Sequence, residues 1–265
     1  MKLKKIAVGL AVGALAAAPA FAASFVNGSF ETGTTSGWSV GSSGYRAGIS
    51  NAAMSPGTFL PGGSQYNVDP AHSSVISAGS LDPNIGAALG TTVYGGNFSY
   101  RVEDTISGGF ASAISQTVTN YTDSNIFFAW KAVLQNGGHS EDQSALMLIT
   151  LHDDTANTDL ISRIYNAGAG GGGVDSRFTQ LNDFFYTSDW QIEQLPISSA
   201  LSGHTFTLSV LAADCQPTGH TGYVYLDGFG AVAPPPIGNV PEPTSLALVG
   251  LGLAGLVASR RRKSA

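Results

Sequence analysis

"HTFTLSVLAAD", residues 204–214, decides the fold class. From Thr205 to Val210 the side chains alternate strictly. Phe206, Leu208 and Val210 share one face, and Thr205, Thr207 and Ser209 the other. A period of two belongs to a half-buried strand. Working outward, "SFVNGSFETG" (24–33) and "SGWSVG" (36–41) read as the opening strands, and "TTVYGGNFSYRVED" (91–104) as two short strands around Gly95-Gly96. Further strand runs follow in "SAISQTVT", "SNIFFAWKAVL", "SALMLITLHD", "DLISRIYNAG", "FTQLNDFFYTSDWQIEQLPI" and "GYVYLDGFGAV". "DTANT" (154–158) joins two of them as a hairpin loop. Short strands punctuated by turn chemistry predict an all-β, antiparallel β-sandwich. The loop-heavy region 51–90, with a short helix at Ile85–Leu89, is the kind of long connection on which a β scaffold carries function. The Gly-rich stretch 166–176 reads as a mobile surface loop.

The flanks of this domain have a different composition. Lys2, Lys4 and Lys5 precede an apolar stretch from Ile6 to Ala18 and an Ala20-Phe21-Ala22 exit, the pattern of a secretory signal peptide cleaved after Ala22 or Ala23. Residues 1–23 are therefore read as a signal helix, 24–232 as the sandwich, 233–239 as a Pro-rich linker and 240–265 as a separate tail. Of the 12 basic residues three lie in the signal and four in the tail, and Glu242 is the tail's acid. Five basic residues remain against 17 acids, a formal charge of −12 between the two flanks. Such a surface repels nucleic acid and anionic lipid and suits a secreted domain or one that binds cations. Cys215 is the only cysteine, which rules out an intrachain disulfide; it reads as a small buried residue.

No pattern for catalysis emerges, and no catalytic residue is assigned. His72, His139, His152, His204 and His220 show neither HExxH nor zinc-site spacing, and His139 and His220 read as hydrogen-bonders in turns. "GWSVG" (37–41) spells GxSxG but lies in a strand run, not at a strand-to-helix turn, so neither it nor any Cys-His signature supports a nucleophilic hydrolase. Glu103-Asp104 and Glu141-Asp142 are adjacent pairs, which on a strand point to opposite faces unless a bulge intervenes. Flat rings that stack on sugars are the remaining candidates. Trp38 and Trp130 fall in core positions, which leaves Trp190, Tyr45, Tyr66 and Tyr94 nearer loops as sugar contacts.

The tail has the most specific signature. Pro241-Glu242-Pro243 stands before an uncharged run, Leu246–Ala258, and then Arg260, Arg261, Arg262 and Lys263. The run is about 13 residues, against roughly 20 for a bilayer span. This order resembles the PEP-CTERM sorting signal of exported bacterial proteins. The resemblance implies recognition and cleavage near Pro-Glu-Pro by an exosortase, with transient inner-membrane insertion of a short C-terminal apolar helix and the basic cluster cytoplasmic. It also implies an extracellular-matrix, biofilm and exopolysaccharide setting, with residence at the cell surface, in the outer membrane or in the matrix.

Two further stretches, "NGSFETG…GW" (27–38) and "GHTGYVYLDGFG" (219–230), resemble the first and last strands of galactose-binding-like jelly rolls, a group that includes carbohydrate-binding modules. By that resemblance Glu31 and Asp227, with Asn27 as a third ligand, hold a structural Ca²⁺, with other oxygens completing its shell. The leading expectation is a non-catalytic surface or matrix protein associated with extracellular polysaccharide; a module with a defined sugar site is the alternative.

Overall fold

The computed structural model describes residues 25–233; the signal segment, most of the linker and the sorting tail lie outside them. Twelve strands form two antiparallel sheets. The first has the order β1 (Ser39–Tyr45), β4 (Phe110–Val118), β11 (Phe206–Ala213), β6 (Leu146–Asp153), β7 (Thr158–Asn166). The second runs β2 (Ser74–Ser77), β3 (Phe98–Val102), β12 (Gly222–Gly230), β5 (Asn125–Gln135), β9 (Phe184–Tyr186), β8 (Thr179–Leu181), with β10 (Gln191–Pro196) also on β5. The chain is thus an all-β, jelly-roll-like sandwich. Phe206, Leu208 and Val210 enter the core between the sheets, against Trp130, Ile149 and Leu226, while Thr207 and Ser209 face outward, half-buried. Trp38 and Trp130 join the same core.

Alternation fails after Val210 for a physical reason. Leu211 and Ala213 belong to a second apolar cluster on the outer face of the first sheet, where Met54 and Phe59 cover them together with Ala111 and Ala113. Phe59 closes the single helical turn α1 (Pro56–Phe59), and Gly41 and Gly44 of β1 leave the room it occupies. A side chain buried on both faces of its strand carries no period-two signal. The second sheet is covered in the same way. Ile85 and Leu89 pack on Tyr223, Tyr225, Val133 and Tyr186. Residues 51–90 therefore serve largely as two lids over the outer faces, and the helix expected at Ile85–Leu89 is a 3₁₀ turn, Ala87–Leu89.

Two strand expectations are corrected. Residues 25–37 form turns, not a strand. Asn27 and Phe30 are left-handed (φ 52° and 57°), and the Asn27 side chain bonds to the Thr34 carbonyl and the Thr32 N–H. This coil drives Phe30 into the core, stacked 5.1 Å from Trp38 and 5.3 Å from Tyr100. Residues 91–97 are also loop, so "TTVYGGNFSYRVED" supplies one strand, β3. The "DTANT" turn does join β6 to β7. In the Gly-rich stretch, the backbone is tied down by Asn166, whose N–H donates to Gly173 and whose Oδ1 accepts from Gly168, and by Ala169, which donates to His139.

Candidate functional site

Where the Met54–Phe59 lid ends, the outer face of the first sheet is open. A depression of about 360 Å³ lies between Asn51, Glu141 and Asp142 on one side and Leu146, Ile164 and Asn166 on the other. A second, of about 310 Å³, is bounded by Pro56, Thr150, His152, Asp159 and Ser209. Both share Met54 and Leu148, so they form one groove along β6 and β7. From Asn166 to Asp159 it follows seven residue steps of β7, about 23 Å at strand rise. Its floor offers an apolar strip, with Ile164 58% exposed, and its rims offer amides, hydroxyls and carboxylates. His152 Nδ1 lies 2.7 Å from Asp159, and that hydrogen bond raises the His152 pKa. A second cavity, of about 400 Å³, opens between the edge strands β1 and β2, lined by Val40, Val75, Tyr100 and several hydroxyls. Among the described residues, the buried Ser42 hydroxyl there has no hydrogen-bond partner.

Glu31 and Asp227 meet across one loop, residues 94–98. Glu31 accepts from the N–H groups of Asn97 (2.9 Å) and Phe98 (3.1 Å); Asp227 accepts from Tyr94 (2.9 Å), Gly95 (3.1 Å) and Gly228 (2.7 Å). Burial pushes the Asp227 carboxyl up to about 7 against those three bonds. Asn27 spends its amide on the 32–36 turn. As placed, the two acids close the N-terminal coil and β12 around the 94–98 loop.

The four candidate rings divide between the two sheets. Trp190 and Tyr94 lie 5.8 Å apart over the second sheet, with the Trp190 Nε1 donating to the Thr91 carbonyl. Lys131 stands 5.8 Å from the Trp190 ring; its ammonium bonds to the Leu89 and Thr91 carbonyls, and burial lowers its pKa to about 8. Tyr45, 58% exposed, lies on β1 beside Phe110, and Tyr66 lies in the loop that pairs with β1.

Two clusters assembled by the fold have no sequence pattern. Glu103 adopts φ 67°, and that left-handed residue turns two adjacent acids toward one histidine. His72 Nδ1 is 2.9 Å from both Glu103 Oε1 and Asp104 Oδ2. The reading of Glu103 and Asp104 as facing apart is therefore corrected. The Glu103 hydrogen bond raises the His72 pKa, and burial followed by the charge of Glu103 pushes Asp214 up to about 8. The second cluster joins His139, Cys215 and His220, whose ligand atoms lie within 4.8 Å of one another. Only the burial of Cys215 was legible in the sequence.

The Pro241-Glu242-Pro243 motif and Arg260, Arg261 and Arg262 lie outside the described residues. Among the described residues no helix is long and apolar enough to cross a membrane. No curated protein sequence matches the chain. Among solved structures it is similar to TmCBM61 in complex with β-1,4-galactotriose, at 12% identity over 78% of this chain and 96% of that one, TM-score 0.39. It is similar to CBM28, a non-crystalline cellulose specific carbohydrate-binding module, at 13% over 78% and 94%, TM-score 0.37. A cyclase from Fischerella sp. TAU stands at 10% over 78% and 94%, TM-score 0.36. Likeness at this level assigns no activity. Residues 239–263 match the model of the PEP-CTERM protein-sorting motif. The chain carries that motif, the mark of an exosortase-processed, exported protein sorted to the cell envelope or surface.

Proposed function

We propose that the sandwich is a non-catalytic module of the bacterial surface or extracellular matrix that associates with neutral polysaccharide along the β6–β7 groove. The observation that carries this reading is the groove itself. It is long and open, as a polymer requires, and its apolar strip, Leu148 and Ile164, suits the C–H face of a sugar ring. The flanking Glu141 and Asp142 carboxylates suit vicinal hydroxyls, since a carboxylate can accept from two at once, and the Asn166 NH₂ adds a donor, while the Asn51 amide is spent on Arg46, Glu141 and Ser144. Glu141, Asp142 and Asp159, within a chain region of formal charge −12, disfavour uronate-rich polymers. After processing near Pro241-Glu242-Pro243 the module resides at the surface, in the outer membrane or in the biofilm matrix.

The test is a glycan array followed by titration calorimetry with the sandwich, residues 24–232. Saturable binding of a neutral oligosaccharide, weakened about tenfold or more by Ile164→Asp and unchanged by Trp190→Ala, supports the groove. Loss of binding in Trp190→Ala alone moves the site to the Trp190–Tyr94 pair. Turnover of any polysaccharide in the same panel overturns the non-catalytic reading.

A further inference from the structure

We propose that His139, Cys215 and His220 form a metal site for a thiophilic divalent cation, zinc foremost, which ties the β5–β6 loop to the β11–β12 turn. Three observations carry it. The first is spacing. His139 Nε2 lies 3.2 Å from His220 Nδ1, and Cys215 Sγ lies 3.4 Å from the same nitrogen. An ion about 2.05 Å from each nitrogen and about 2.3 Å from sulfur would subtend about 103° at both pairs, close to tetrahedral. The third pair is within 4.8 Å, so a small adjustment of the His139 side chain brings all three atoms onto one ion and leaves a fourth position for water.

The second observation is a conflict that an ion removes. An imidazole nitrogen has either one lone pair or one proton. His220 Nδ1 faces both a second imidazole nitrogen and a thiol, so it cannot make two good hydrogen bonds. With an ion at the centre, each of the three atoms directs its own lone pair at the metal. Binding replaces the Cys215 S–H bond with S–Zn, and the proton passes to solvent.

The third is a frame that holds the ligands in place. Cys215 and His220 begin and end one tight turn, closed by Cys215 N–H to the His220 carbonyl (2.9 Å) and Thr218 N–H to the Cys215 carbonyl (3.1 Å). The His139 carbonyl accepts from Ala169 at 2.8 Å. Gly137 lies so close that a Cβ there would fall within the His220 ring. Soft sulfur with two imidazoles selects zinc or copper over calcium or magnesium. In a chain with one cysteine, such a site would link two loops as a disulfide does elsewhere.

The mature protein, purified from the exported fraction and stripped with chelator, is titrated with Zn²⁺ and, for spectroscopy, with Co²⁺. One zinc per chain, a rise in Tm, and a thiolate-to-cobalt charge-transfer band with tetrahedral d–d absorption are expected. Cys215→Ser should abolish the band, and His139→Ala, at a half-buried loop position, should weaken zinc binding about 100-fold or more. Gly137→Ala keeps all three ligands and should also weaken binding, by crowding His220. Stoichiometry unchanged in His139→Ala, or an octahedral cobalt spectrum without the thiolate band, sinks the site.

Discussion

Asp82 fastens the lid on the second sheet, and its removal has a calculable cost. Its carboxylate is 2% exposed and accepts four bonds. They come from the Tyr223 hydroxyl (2.9 Å), the Tyr225 hydroxyl (2.8 Å) and the N–H groups of Asn84 (2.9 Å) and Ile85 (2.7 Å). Both tyrosines are essentially buried, so Asp82→Ala leaves two hydroxyls without an acceptor at about 1–3 kcal/mol each. The two freed amides also loosen the turn that seats Ile85 and Leu89. A total of about 3–6 kcal/mol follows, or about 6–24 °C in Tm at 2–4 °C per kcal/mol for a domain of this size. Asp82→Asn should be far milder. Its Oδ1 keeps the three bonds now on that atom, and the Tyr225 hydroxyl turns round to accept from the amide. Only charge assistance is lost, about 1–2 kcal/mol. Urea unfolding followed by circular dichroism measures both variants. In a Tyr223→Phe/Tyr225→Phe background Asp82→Ala should cost about 2 kcal/mol less, because no hydroxyl is stranded. An Asp82→Ala variant within about 1 kcal/mol of the parent, or an Asn variant as damaged as the Ala variant, refutes the reasoning.

Three other expectations follow from the same coordinates. A Cβ on Gly28 would overlap the Phe229 carbonyl, so Gly28→Ala should lift the N-terminal coil and Phe30 off the core at about 3–5 kcal/mol, whereas Gly57→Ala, whose Cβ would meet Ser55 Oγ at an ordinary 3.8 Å, should change Tm little. Asp214, raised to about 8 when folded, holds its proton in the native state between pH 4 and 8, where the unfolded chain has lost it. Its contribution is therefore full below about pH 4 and fades as pH rises to about 8. Asp214→Asn should flatten the fall of Tm across that window, and an unchanged slope contradicts the assignment. Calcium at Glu31, Asp227 and Asn27 is tested by the same measurement: added after EGTA treatment it raises Tm if these residues hold the ion, and leaves Tm unmoved if the carboxylates serve only the amides of Tyr94, Gly95 and Asn97.

What the sequence makes legible is what repeats locally. Phe206, Leu208 and Val210 declare a strand because each neighbour at two residues repeats the same demand. Trp130 declares the core through the apolar run around it. The N-terminal coil is not legible, because Asn27 and Phe30 reach left-handed conformations within a sequence of ordinary strand composition. Nor are the lids: Leu211 and Ala213 look like disorder in the alternation until Phe59, some 150 residues earlier in the chain, is seen to cover them.

The candidate sites are hidden for a stronger version of the same reason. Glu103 and Asp104 are neighbours whose separation on a strand would keep them apart, and one positive φ reverses that conclusion. His139 is 76 positions from Cys215 and 81 from His220, so no spacing rule links them. What brings them together is the sandwich: β12 pairs with β5, placing the loop after β5 beside the turn that enters β12. The groove has the same origin, since the 51–57 lid meets β6 and β7 only after β11 has paired with both β4 and β6. Chemistry in this chain is thus a product of sheet order. A substitution that alters strand pairing would dismantle the proposed metal site while leaving each of its ligands in place in the sequence.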